Sequence, residues 1–106
     1  MIGAVTSYSP PLLRPELLKQ VAPMLRTVAH PVRLQILDLI RDTQKTPSEL
    51  AEAIGLPIAQ ISQHLQGLRQ LGVLTQGSEG RTRPYRVAMT SVLGLLDCIR
   101  AHMEDA

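Results

Sequence analysis

Apolar residues recur at helical spacing along most of the chain, and at a spacing of two in one short stretch after Gly72. From Pro15, the residues Leu17, Leu18, Val21, Leu25 and Val28 fall on one side of a helix. Proline opens a helix well, because the N–H it lacks would be unpaired there in any case. Pro23 lies inside the pattern and is expected to kink or split this first helix. A second helix is predicted from Pro31, directly after His30, to about Asp42, with Val32, Ile36, Leu37, Leu39 and Ile40 on its apolar side. Thr46-Pro47-Ser48-Glu49 predicts the start of a third: a capping threonine, a first-turn proline, and a glutamate three residues after the cap. That helix carries Leu50, Ala51 and Ile54 and closes at Gly55. A fourth begins at Pro57, carries Ile58, Ile61, Leu65, Leu68 and Leu71, and ends at Gly72. Gly67 interrupts its interior, at roughly 1 kcal/mol relative to alanine.

Val73-Leu74-Thr75 and Tyr85-Arg86-Val87 are two short β-type runs. The residues between them, Gln76 to Pro84, contain Gly77, Gly80, Arg81 and Arg83, which predicts a hairpin with a long basic tip. From Ser91 to about Glu104 the period is helical again, with Val92, Leu95, Leu96, Ile99 and Met103 on one side. Residues 1–14 show no periodicity and read as a flexible arm, leaving residues 15–106 as a single domain. The fold class expected is mainly α with a small β-hairpin, in the order ααααββα.

Composition narrows this further. The chain has 106 residues, 44% hydrophobic and 19% charged, enough for one globular core. Two tyrosines are its only aromatic residues, so aliphatic side chains must build that core. The single cysteine, Cys98, excludes an intrachain disulfide or a multi-cysteine metal cluster. No apolar run approaches the ~18 residues needed to span a bilayer. The start lacks a basic leader and is broken by Pro10, Pro11 and Pro15, so the expected location is the cytoplasm. The first and last helices carry longer aliphatic stripes than so small a domain needs internally. Leu17, Leu18, Val21 and Leu25, with Val92, Leu95, Leu96, Ile99 and Met103, are the expected homodimer interface.

The net charge is +2, unevenly placed. Residues 55–88 hold four arginines against one glutamate, whereas residues 89–106 hold three acidic groups against one arginine. The basic excess thus falls on the fourth helix and the hairpin. Two short helices joined at the tight Gly55-Leu56-Pro57 corner form a helix-turn-helix, and the hairpin that follows makes it winged. An α-helix fits the major groove of B-DNA and presents its first turns to base edges. A basic hairpin tip can reach the adjacent minor groove, where negative potential favours arginine.

Val28-Ala29-His30-Pro31-Val32-Arg33-Leu34-Gln35-Ile36-Leu37 resembles a signature of the ArsR/SmtB family of bacterial winged-helix repressors. Glu49 to Leu56, Ile61-Ser62-Gln63-His64-Leu65 and Leu68 to Leu74 are similar to its DNA-reading unit, and Gly80-Arg81 with Tyr85-Arg86-Val87 to its wing. The likeness spans about residues 26–88. It implies a dimeric, sequence-specific DNA-binding regulator, a repressor released by a small signal, acting on duplex DNA with an inverted repeat.

By that resemblance the fourth helix is the recognition helix. Ile58, Ala59, Ser62 and Gln63 stand at base-contacting positions; the first two depart from the usual polar pattern and imply apolar readout, as of a thymine methyl. Gln60 and Gln63 could each pair an amide with adenine. His64 matches a residue that packs near or touches the phosphate backbone. Gln66 replaces a common basic residue, leaving Arg69, Arg81, Arg83 and Arg86 as the phosphate candidates, with Arg81 and Arg83 at the wing tip foremost.

For the signal, the resemblance implies two possible metal sites. Thr46 and Ser48 stand where many members have cysteines, and hydroxyls are poor ligands for soft metals. Met89 and Ser91 replace one ligand pair of a site between the terminal helices; His102 and Asp105 fit the other pair, and half a site does not hold tetrahedral zinc. No cofactor is therefore expected. Cys98 reads as a small apolar helix residue, and a redox role would require a bridge to its symmetry mate or an adduct. No phosphate loop, carboxylate pair beside a histidine, or Ser/His/Asp set is present to support an enzyme. The competing reading is a winged helix that binds another protein and has lost DNA affinity.

Overall fold

A computed structural model describes residues 12–77 and 83–103. The arm before Leu12, the tip of the hairpin with Arg81, and Asp105 lie outside the described residues. Among the described residues, five α-helices and a two-stranded hairpin follow in the expected order: α1 Pro15–Val28, α2 Pro31–Ile40, α3 Pro47–Ile54, α4 Ile58–Gln70, β1 Leu74–Gln76, β2 Tyr85–Val87 and α5 Leu93–His102. A 3-10 turn, Thr90–Val92, leads into α5.

Each boundary has a local cause. Pro15 opens α1, with Glu16 in its first turn and Arg26 in its last, both matched to the helix dipole. Pro23 does not split it: α1 runs on to Val28, and the Thr27 hydroxyl donates to the Pro23 carbonyl at 3.1 Å. His30 caps α2, its Nδ1 accepting from the Val32 N–H at 3.1 Å. Thr46 and Glu49 form a reciprocal capping box: Oγ1 of Thr46 accepts from Glu49 N–H at 3.2 Å, and Oε1 of Glu49 accepts from Thr46 N–H at 2.8 Å. Gly55 ends α3 at φ +84°, and Gly72 turns the chain from α4 into β1 at φ +80°; both lie where a Cβ is disfavoured.

The strands pair antiparallel, with Leu74 opposite Val87 and Gln76 opposite Tyr85. Lys45 adds a bridge that local pattern does not reveal, donating to and accepting from Tyr85 at 3.0 and 2.7 Å. The loop before α3 is thereby fastened to the hairpin.

The core is aliphatic, as composition requires. Ile36, Leu37, Leu50, Ile61, Leu65, Leu68 and Val73 are fully buried, joined by Val28, Ile40, Leu74 and Tyr85. Val92 and Leu96 also belong to it, each 6% exposed. This corrects the expectation that they face a partner: the 3-10 turn directs Val92, and α5 directs Leu96, inward onto the protomer's own core. Leu18, Leu25, Leu95, Ile99 and Met103 remain exposed, between 40% and 67%, and Leu17 and Val21 are half-buried. The aliphatic stripes of α1 and α5 are thus shared between the core and the outside. Arg100 reaches both carboxylate oxygens of Asp38 at 2.9 and 3.0 Å, and Arg41 meets Asp97 at 2.9 Å, so two ion pairs tie α5 to α2 and to the capping residue that follows it.

Candidate nucleic-acid interface

Helix α4 is anchored on one side and open on the other. Ile61, Leu65 and Leu68 fix its inner face in the core, while Ile58, Ala59, Gln60, Gln63, Gln66 and Arg69 are exposed and Ser62 is half-buried. At 3.6 residues per turn, positions 58, 59, 62, 63 and 66 form one outward stripe. Gln60 is exposed beside this stripe, in the first turn of α4. No side chain caps the start of α4, and its first turn holds no acidic residue. The positive end of the helix dipole is therefore unopposed where a phosphate could approach.

The base of the wing is tied to α4. Nη1 of Arg69 donates to Oε1 of Gln76 at 3.1 Å, and Nε2 of Gln76 donates to the Arg83 carbonyl at 3.0 Å. Arg83 adopts a left-handed backbone, φ +42°, and its Nε donates to the Gly77 carbonyl at 3.5 Å. Arg69, expected against phosphate, thus also braces the hairpin. Arg83 and Arg86 are exposed on the wing; Arg81 falls outside the described residues.

His64 is placed more specifically than sequence indicated. Its Nδ1 accepts from Nε of Arg33 at 3.1 Å, and its ring stands 4.6 Å from that of His30 at a 52° tilt. An arginine can only donate, so Nδ1 carries no proton and the neutral ring holds its proton on Nε2. Burial, with the charges of His30 and Arg33, pushes the His64 pKa below the ordinary imidazole value. Arg33 itself was visible only as one letter of the family signature. Its Nη1 also donates to the Thr27 carbonyl at 3.0 Å, and its guanidinium lies over Gly67, where an added Cβ would stand 2.9 Å from Nη2. The interior glycine of α4 is explained by that close approach, which no local pattern could reveal.

A profile of the helix-turn-helix domain family matches residues 28–77. The chain is 36% identical over 92 residues to the HTH-type transcriptional repressor SmtB of Mycobacterium tuberculosis, covering 86% of this chain and 68% of that protein. It is 39% identical over 85 residues to the HTH-type transcriptional regulator NmtR of the same species, covering 80% and 71%. The chain belongs to the ArsR/SmtB family of winged helix-turn-helix transcriptional regulators. Solved structures agree. HlyU from Vibrio cholerae superposes with a TM-score of 0.76 at 26% identity, over 86% of this chain and all of that one. The homodimeric winged helix-turn-helix domain of a possible ArsR-family regulator from Mycobacterium bovis gives 0.73 at 30% identity, over 86% and 88%.

As an ArsR/SmtB regulator the protein is a DNA-binding transcription factor, in a family of regulators rather than enzymes. Of the positions that resemblance offered for metal, the Thr46 hydroxyl already accepts the Glu49 N–H, and Ser48 is exposed. His102 is exposed in the last turn of α5, and its expected companion Asp105 lies outside the described residues. Among the described residues, no three His, Cys, Asp or Glu side chains gather as a metal would require. Cys98 is exposed rather than buried in the protomer, and lines an apolar cleft with Leu25, Val28, Ala29, Leu34, Leu95 and Ile99. No helix among the described residues is long and apolar enough to cross a membrane.

Proposed function

We propose that this regulator is a homodimeric cytoplasmic repressor that binds an inverted repeat, laying α4 of each protomer in the major groove of one half-site and the hairpin tip along the neighbouring minor groove. The outward stripe of α4 carries the reading: it bears short and amide side chains, sits above a fully buried anchor, and begins at an uncapped, acid-free helix end. Ile58 and Ala59 suit thymine methyls, Gln60 and Gln63 suit adenine, and Ser62 can donate or accept. Arg81 and Arg83 serve the phosphates of the wing's groove, with Arg69 holding the wing at its angle; His64 has only its Nε2 left to offer a phosphate. The exposed Leu18, Leu25, Leu95, Ile99 and Met103 supply the dimer face, in keeping with the homodimeric Mycobacterium bovis domain. A small signal would release the repressor.

Selection of duplexes from a random-sequence pool tests this directly. The enriched sequences should contain two half-sites in inverted orientation, about one helical turn or a small multiple apart. Gln63→Ala should relax discrimination at one base pair per half-site by about 1–3 kcal/mol. Enrichment without symmetry, or unchanged preference in Gln63→Ala, would overturn the assignment.

A further inference from the structure

We infer that Arg33 is a positioning residue for DNA reading: by bonding the last turn of α1 and the middle of α4 at once, it sets the angle between the dimer helix and the recognition helix, and so the half-site spacing that the dimer accepts. This rests on the proposed dimeric DNA-binding function and adds to it how the two α4 helices are aimed.

The guanidinium has three separate neighbours. Nη1 donates to the Thr27 carbonyl at 3.0 Å. That carbonyl lies in the final turn of α1, and the residue four positions on is Pro31, which has no N–H to give it. A cation is also favoured at this negative end of the helix. Nε donates to Nδ1 of His64 at 3.1 Å, one residue after the base-facing Gln63. The plane of the group rests on Gly67, one turn further along α4, where a Cβ would come within 2.9 to 3.1 Å of three of its atoms. Helix α1 carries Leu18 and Leu25 on the proposed dimer face. A rigid fork therefore spans from the element that meets the partner to the element that meets the groove. Lysine cannot replace it, being a point charge on a flexible stem that does not hold two acceptors in a fixed plane.

In a symmetric dimer the distance between the two recognition helices follows from the α1–α4 angle in each protomer. Loosening that angle should harm binding to correctly spaced half-sites far more than binding to duplex of the wrong spacing, which is held by only one correctly seated protomer. A role in stability alone would weaken both equally.

The probe is the duplex that the wild-type protein enriches from a random pool, together with the same duplex carrying one extra base pair at its centre. Wild type should prefer the natural spacing by tenfold or more. Arg33→Gln should bind the natural spacing about tenfold more weakly while losing little on the lengthened duplex, so that the preference shrinks to a few-fold. Arg33→Lys and Gly67→Ala, which keep the charge or the arginine itself, should move the preference in the same direction; should Arg33→Gln fail to fold, these two decide the matter. Circular dichroism and sedimentation on every variant establish that folded dimers are compared. Folded variants that retain the full spacing preference overturn the inference, whether or not overall affinity falls. A wild-type protein that enriches no duplex overturns the function on which it rests.

Discussion

The rings of His30 and His64 lie 4.6 Å apart, one capping α2 and the other within α4, with Arg33 donating to the second. Arg33 and two imidazole rings thus share one corner beside α4. The arrangement is comfortable only while His64 is neutral. Protonation would turn Nδ1 from acceptor to donor, facing an arginine N–H and a second imidazole.

The sign of the resulting pH dependence follows. Burial, then His30 and Arg33, hold the His64 pKa below its ordinary value of 6.5, so the folded protein binds this proton less readily than the unfolded chain. The contribution to stability is greatest above the unfolded value, declines as pH falls below it, and levels off once folded His64 is also protonated. Chemical denaturation across this range should show the decline. A His64→Asn variant, which cannot gain that proton, should show less of it; an identical pH profile would mean that His64 is not the group responsible.

Leu96 and Ile99 lie on the same helix and separate the core from the proposed dimer face. Leu96 is 6% exposed, so Leu96→Ala should cost about 2–5 kcal/mol of folding stability. Ile99 is 42% exposed, so Ile99→Glu should leave the helical content intact and convert dimer to monomer with loss of operator binding. Sedimentation and thermal melts on the two variants check the contrast. Dimeric Ile99→Glu would remove this face from the interface.

Thr46 accepts the Glu49 N–H at 3.2 Å and so serves as the cap of α3, the helix that packs on α4. Thr46→Ala should lower stability by about 1 kcal/mol, whereas Thr46→Ser should lower it less. Denaturant titration gives both values, and an unaffected Thr46→Ala protein would show that the cap contributes nothing.

Zinc, cadmium and arsenite should leave operator binding unchanged, and chelators should have no effect. The hydroxyl of Thr46 is engaged in its cap, and His102 is the one strong nitrogen ligand near the end of α5 among the described residues. Calorimetry with each metal, extended to nickel and cobalt, is the measurement. A stoichiometric site lost in His102→Ala would overturn this expectation.

Helix boundaries were legible in the sequence because their causes are local: Pro15, Pro31 and Pro47 in first turns, the Thr46–Glu49 box, and left-handed Gly55 and Gly72. The inner and outer sides of α4 were legible too, since period 3.6 separates the buried Ile61, Leu65 and Leu68 from Ser62 and Gln63. Only the folded chain decided which apolar positions on α5 face inward. One stripe there serves two surfaces: Leu96, like Val92 in the turn before the helix, went to the core, while Leu95 and Ile99 did not. Periodicity identifies an apolar side of a helix but not what covers it. The same limit hid Arg33. Its partners, Thr27, His64 and Gly67, lie on α1 and α4, and a charged fork that satisfies a helix end on one side and an imidazole on the other leaves no repeating mark in the chain. Such contacts exist only once packing has brought the helices together.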